Sequence, residues 1–100
     1  MTRPKSEQTR IYGPPGFVEW IQSLPSVASG KGPCEAAHVG TGGMGRKADW
    51  TSIIPLTVQE HRAELHQWGP RTFEARYRLS LADEVAMIQR LWRQRCERVA

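Results

Sequence analysis

Residues 34–66 read CEAAHVGTGGMGRKADWTSIIPLTVQEHRAELH, and this stretch decides the fold. Glu35-Ala36-Ala37-His38-Val39 suits a short strand, and Gly40-Thr41-Gly42-Gly43-Met44-Gly45 then breaks regular structure. Trp50-Thr51-Ser52-Ile53-Ile54 is aromatic and β-branched, which predicts a second strand. After Pro55, Thr57 and Glu60 have the spacing of a capping box, in which hydroxyl and carboxylate each satisfy one otherwise unpaired N–H at a helix start. The helix so opened carries His61 and His66 and stops at Gly69-Pro70. Strand, Gly-rich loop, strand and helix, with further helices outside, make an α+β domain.

Working outward, Phe17, Trp20, Ile21 and Leu24 fall on one helical face between the turn Gly13-Pro14-Pro15-Gly16 and the stop at Pro25. Residues 26–33 have the composition of a tight loop. On the C-terminal side, a short helix is predicted from Thr72 to Tyr77, and Ser80 can cap a final helix through Asp83. Leu81, Val85, Ile88, Trp92 and Val99 recur on one side of that helix, leaving Arg90, Gln94 and Arg98 in water. Residues 1–12 are polar and aperiodic and read as a flexible basic arm, with residues 13–100 as a single domain.

A chain of 100 residues with 39% hydrophobic content can bury one modest core. It has no apolar run long enough to span a bilayer, and its polar start lacks the apolar stretch of a secretion signal, so a cytoplasmic location is expected and no membrane partner. Two cysteines, Cys34 and Cys96, cannot close a tetrahedral zinc site alone and read as reduced thiols. The formal net charge of +4 suits a polyanionic partner without identifying one; the basic residues gather in Arg3, Lys5 and Arg10 and in Arg90, Arg93, Arg95 and Arg98. Gly40 to Gly45 lacks the Lys-Ser or Lys-Thr of a P-loop. Trp50 and Trp68 read as packing residues rather than base-stacking platforms.

All three histidines, His38, His61 and His66, lie at the ends of the central unit or just beyond it. Histidine is the usual side chain both for metal ligation and for proton transfer near neutral pH. Residues 34–39, the loop Gly42-Gly43-Met44-Gly45-Arg46-Lys47-Ala48-Asp49, Ile54-Pro55-Leu56 and Glu64-Leu65-His66 together resemble phage and prophage HNH endonucleases, in particular the recombination-enhancement nucleases. The resemblance extends to Trp20-Ile21-Gln22-Ser23-Leu24-Pro25 and Arg71-Thr72-Phe73-Glu74, covering roughly residues 17 to 80. It implies a ββα-metal (HNH/His-Me) core, a two-stranded hairpin and a helix clasping one divalent ion, flanked by an N-terminal short helix and a C-terminal helix.

The resemblance further implies DNA phosphodiester hydrolysis, with His38 as general base and His61 and His66 as metal ligands. The chemistry agrees with that division, because an imidazole bound to a cation cannot also accept a proton from water. Magnesium or manganese is the expected ion, with zinc or nickel as alternatives. Arg46 and Lys47 would neutralise phosphates of the DNA, and a phage packaging or recombination protein is a further candidate partner. A degenerate HNH domain that binds nucleic acid or assists such a partner without cutting is the alternative reading.

Three departures from the family pattern stand out. Ser26 and Ser29 occupy positions where relatives often carry a cysteine pair of a structural zinc knuckle, so no structural zinc is expected. Ala37 precedes His38 where many HNH proteins have a metal-binding Asp or His, which leaves the ion one ligand short unless Asp49 or Glu35 substitutes. Lastly, His61 and His66 are five residues apart, so a regular helix turns them about 140° away from each other, against about 40° for a spacing of four. Either a π-bulge intervenes, or the helix frays before His66, or one of the two does not ligate.

Overall fold

The capping box forms as its spacing demands. Glu60 N donates to Thr57 Oγ1 at 3.2 Å, and Thr57 N donates to Glu60 Oε1 at 2.9 Å. The computed structural model, which describes residues 5–40 and 49–99, arranges this helix start within an α+β domain. The order of elements is α1 (Lys5–Tyr12), α2 (Phe17–Ser23), β1 (Glu35–His38), a 3-10 turn (Trp50–Ser52), β2 (Ile53–Leu56), α3 (Gln59–Trp68), α4 (Pro70–Tyr77) and α5 (Leu81–Val99). Arg46 and Lys47 lie outside the described residues.

Strands β1 and β2 pair antiparallel, with Glu35 opposite Leu56, Ala36 opposite Pro55, Ala37 opposite Ile54 and His38 opposite Ile53. Alternation along β1 sends Ala37 into the core and leaves His38 on the other face. The second strand differs from expectation. Asp49 accepts from Thr51 N at 2.8 Å, winding Trp50–Ser52 into a 3-10 turn, and the strand begins only at Ile53. It then runs through Pro55, which a two-stranded sheet tolerates because each strand is an edge. The Pro55 carbonyl accepts from Val27 N at 3.2 Å, tying the 26–33 loop to that edge.

Three elements meet on Phe17, which is fully buried. Trp50 and Trp92 both stand edge-on to its ring, at centroid distances of 5.0 and 5.1 Å. Such pairs contribute about 0.5–1.5 kcal/mol each beyond the area they bury. Ile21, Ile53, Ile54, Leu56, Phe73 and Ile88 complete the core. Helix α5 docks through Leu81, Ile88 and Trp92, while Arg90, Gln94 and Arg98 stay exposed, as its sequence pattern requires. Ser80 Oγ accepts from Asp83 N at 3.3 Å at the start of that helix. Cys34 is buried and Cys96 exposed, both as free thiols.

Residues 5–12, read from sequence as part of a flexible arm, form helix α1 instead. Gly13 closes it, donating to the Thr9 carbonyl at 2.8 Å in a left-handed conformation, φ +87°. A Cβ here would come within 2.9 Å of the Phe17 ring. The turn therefore demands glycine on both conformational and steric grounds.

Candidate functional site

The decisive local feature is the winding of α3. Residues Gln59–Leu65 are π-helical, and only His66–Trp68 return to α geometry. Widening to i→i+5 hydrogen bonding takes on the order of 4.4 residues per turn, so five residues advance by about 50° instead of about 140°. Of the three alternatives left open by the His61–His66 spacing, the chain adopts the widened turn.

His61 and His66 consequently line the same open pocket, of about 340 Å³, together with His38 from the end of β1. Leu65, Gly69, Pro70 and Leu81 supply most of the remaining wall. All three histidines singled out in the sequence thus converge, although β1 and α3 are separated by the whole glycine-rich segment. Asp49 is not brought among the lining residues. Its Oδ1 takes both the amide and the hydroxyl of Thr51. The Thr51 hydroxyl, offset in part by burial, holds the Asp49 carboxyl below its ordinary range, with further help from the Thr51 amide, Arg10 and His38.

Two of the imidazoles are held in opposite senses. His38 Nε2 lies 2.7 Å from the carbonyl oxygen of Ile11 in the last turn of α1. A carbonyl only accepts, so Nε2 carries the hydrogen and Nδ1 keeps the lone pair. The acceptor is one of the four carbonyls left unpaired at a helix C-terminus. The Tyr12 ring packs edge-on against His38 at 5.7 Å. His61 is arranged the other way round: Nδ1 donates to Glu35 Oε1 at 2.7 Å, leaving Nε2 as its donor atom for a metal. His66 is exposed, and no hydrogen bond engages its ring among the described residues.

Glu35, considered from sequence as a substitute ligand, is instead occupied by α3. Besides His61 it accepts from Arg62 Nε at 3.1 Å and from Arg62 Nη2 at 3.0 Å. Burial pushes the Glu35 carboxyl up, but hydrogen bonds from Arg62 and His61 outweigh it and hold it below the ordinary range.

Ser26 and Ser29 lie by the start of the same helix. Ser26 Oγ donates to Glu60 Oε1 at 2.6 Å and accepts from Ala28 N at 3.0 Å and Ser29 N at 3.2 Å. Glu60 is 4% exposed. Burial raises its carboxyl, yet hydrogen bonds from Ser26, Ser29 and Thr57 together hold it below the ordinary value. The 26–33 loop and α3 are thereby joined through one buried carboxylate.

Whether the pocket suits a cation turns on its donors. His61 offers Nε2 with its other nitrogen anchored, and His66 faces the same space five residues on, which makes a two-imidazole partial set. Among the described residues no group of three or more His, Cys, Asp or Glu is assembled for a metal ion. The remaining positions of an ion bound here would fall to water and substrate oxygens.

Sequence reasoning missed Ile11, Tyr12 and the Glu35–Arg62 pair. The first two lie in a stretch without periodicity, and the Glu35 contacts span 26 and 27 residues with no local signal. Trp68 is a packing residue as expected, half-buried against Phe73 and Tyr77 with the Arg76 guanidinium 4.3 Å from its centroid. Among the described residues no helix is long and apolar enough to cross a membrane. Comparison of the chain with protein-family models, with curated proteins and with solved structures returns no match.

Proposed function

We propose that this pocket is the centre of a metal-dependent phosphodiesterase. More narrowly, the protein is an HNH-type DNA endonuclease with a ββα-metal core formed by β1, β2 and α3. One observation carries the reading: three histidines from the strand and the widened helix share one pocket, with a backbone carbonyl on Nε2 of His38 and a carboxylate on Nδ1 of His61. Charge supports a polyanionic substrate, since the chain is +4 overall and Arg90, Arg93, Arg95 and Arg98 lie exposed on α5.

In this mechanism His38 takes the proton of the attacking water on Nδ1, while the Ile11 carbonyl keeps Nε2–H and the ring orientation fixed. His61 and His66 would hold one divalent ion, which when bound would supply charge neutralisation and Lewis acidity at the phosphate oxygens. Helix α4 begins at Gly69-Pro70 on the pocket wall without a side-chain cap, so its positive end favours an anionic phosphate there. Arg46 and Lys47 serve as phosphate contacts. Imidazoles with no carboxylate among the described lining residues suit zinc or nickel better than magnesium, which reverses the order of preference drawn from the family resemblance.

The test is relaxation of supercoiled plasmid by purified protein with Zn2+, Ni2+, Mn2+ or Mg2+, beside metal binding by calorimetry. His38→Ala should keep metal affinity and slow cleavage by about 100-fold to 10,000-fold. His61→Ala and His66→Ala should weaken metal binding first, with activity partly recovered at higher metal concentration. An inert parent that still binds DNA would overturn the enzyme reading in favour of a non-cutting nucleic-acid-binding domain.

A further inference from the structure

We propose that Glu35 is the positioning residue of His61: it holds the ring as the Nδ1–H tautomer, leaving Nε2 to a metal, and Arg62 clamps Glu35 in turn. The inference rests on the reading of His61 as a metal ligand and adds to it what makes that ligand competent.

An ionised carboxylate has only lone pairs to offer, so the 2.7 Å contact between Glu35 Oε1 and His61 Nδ1 requires the hydrogen on Nδ1. A neutral imidazole with that hydrogen fixed has one remaining donor atom, Nε2. Glu35 itself is fixed from two directions. Its backbone is pinned in β1 opposite Leu56, and its two oxygens accept from Nε and Nη2 of Arg62 in a bidentate fork.

Burial separates the roles of the two partners. The Glu35 side chain is 19% exposed and Arg62 71% exposed. Glu35 is therefore the element that orients His61, and Arg62 the solvent-side brace. A carboxylate donating electron density through an imidazole also makes the opposite nitrogen a better ligand. The arrangement joins strand to helix, so that His61 is set in place before any ion arrives.

Two readouts on the intact chain test the proposal. Long-range 1H–15N NMR of the imidazoles without metal should show His61 as the Nδ1–H tautomer in the parent and a mixture in Glu35→Ala. Calorimetry with Zn2+ and Ni2+ should show Glu35→Ala binding 10-fold to 100-fold more weakly, the usual effect of losing such a partner. Glu35→Gln, whose amide oxygen still accepts from Nδ1, should recover much of the affinity. Arg62→Ala, at an exposed position, should lose a few-fold and supplies the result should Glu35→Ala fail to fold. A parent in which His61 carries its hydrogen on Nε2 overturns the proposal, as does a Glu35→Ala that binds metal as tightly as the parent. A parent that binds no ion overturns the metal reading and this proposal with it, whereas a wrong tautomer or an unchanged Glu35→Ala affinity in a metal-binding parent overturns this proposal alone, so the two failures are distinguishable.

Discussion

Replacing Glu60 by alanine removes a buried carboxylate on which two segments depend. Glu60 Oε1 accepts from Ser26 Oγ at 2.6 Å and from Thr57 N at 2.9 Å. Hydrogen bonds to a charged acceptor contribute about 1.5–3 kcal/mol each, so losing two costs about 3 kcal/mol at the low end. For a domain of this size that lowers Tm by roughly 12–24 °C. The pH dependence follows from the depressed carboxyl. A group whose folded pKa lies below its unfolded value contributes stability that is fully present above the unfolded value and is lost as pH falls through the folded one. Acid unfolding of the parent should thus draw on Glu60 only below its ordinary value of 4.5. In Glu60→Gln that contribution to the acid slope should vanish, while part of the neutral-pH stability remains through the amide oxygen. Urea unfolding of the three proteins at pH 7 and across pH 2–5 measures both effects. A Glu60→Ala protein within about 0.5 kcal/mol of the parent, a change ordinary for surface positions, would refute the reasoning.

Three other outcomes are expected. DNA affinity should fall linearly with log salt, at about −0.9 per phosphate neutralised, and an affinity indifferent to salt would remove the electrostatic basis for binding. Cooperative unfolding should persist in a strong chelator, because hydrogen bonds through Ser26 and Glu60 join the loop to the helix; loss of the transition in a thermal melt would reveal a structural metal. Gly13→Ala should destabilise by about 1–3 kcal/mol in the same melts, since φ +87° is strained for alanine and its Cβ would press on Phe17.

What the sequence makes legible here is what its local chemistry determines. Thr57 and Glu60 announce a helix start, Ser80 and Asp83 another, and the stripe Leu81, Ile88 and Trp92 marks the buried side of α5. Trp50-Thr51-Ser52 misleads because its β-branched and aromatic character competes with an Asp49 cap, and the cap prevails. Helix α1 escapes detection because its sequence has no apolar stripe. Its anchors, the Ile11 carbonyl on His38 and the Tyr12 ring beside it, exist only once the chain is folded. The three histidines could be collected from sequence, but not their hydrogen-bond partners. His38 and His61 look alike in one dimension, and only a carbonyl on one and a carboxylate on the other distinguish them.

The widened turn of α3 amounts to one residue of slack in the helix. A regular helix with the same two rings spaced four residues apart would present them about 40° from each other, close to the separation that a spacing of five reaches in the π form. Deleting Ala63, which is exposed, should therefore let the segment relax to α geometry without dispersing the pair. The slack is thus a matter of counting rather than of chemistry. A shortened chain could keep its two imidazoles side by side while shedding the poorer backbone geometry, and circular dichroism with metal calorimetry would register the two effects separately.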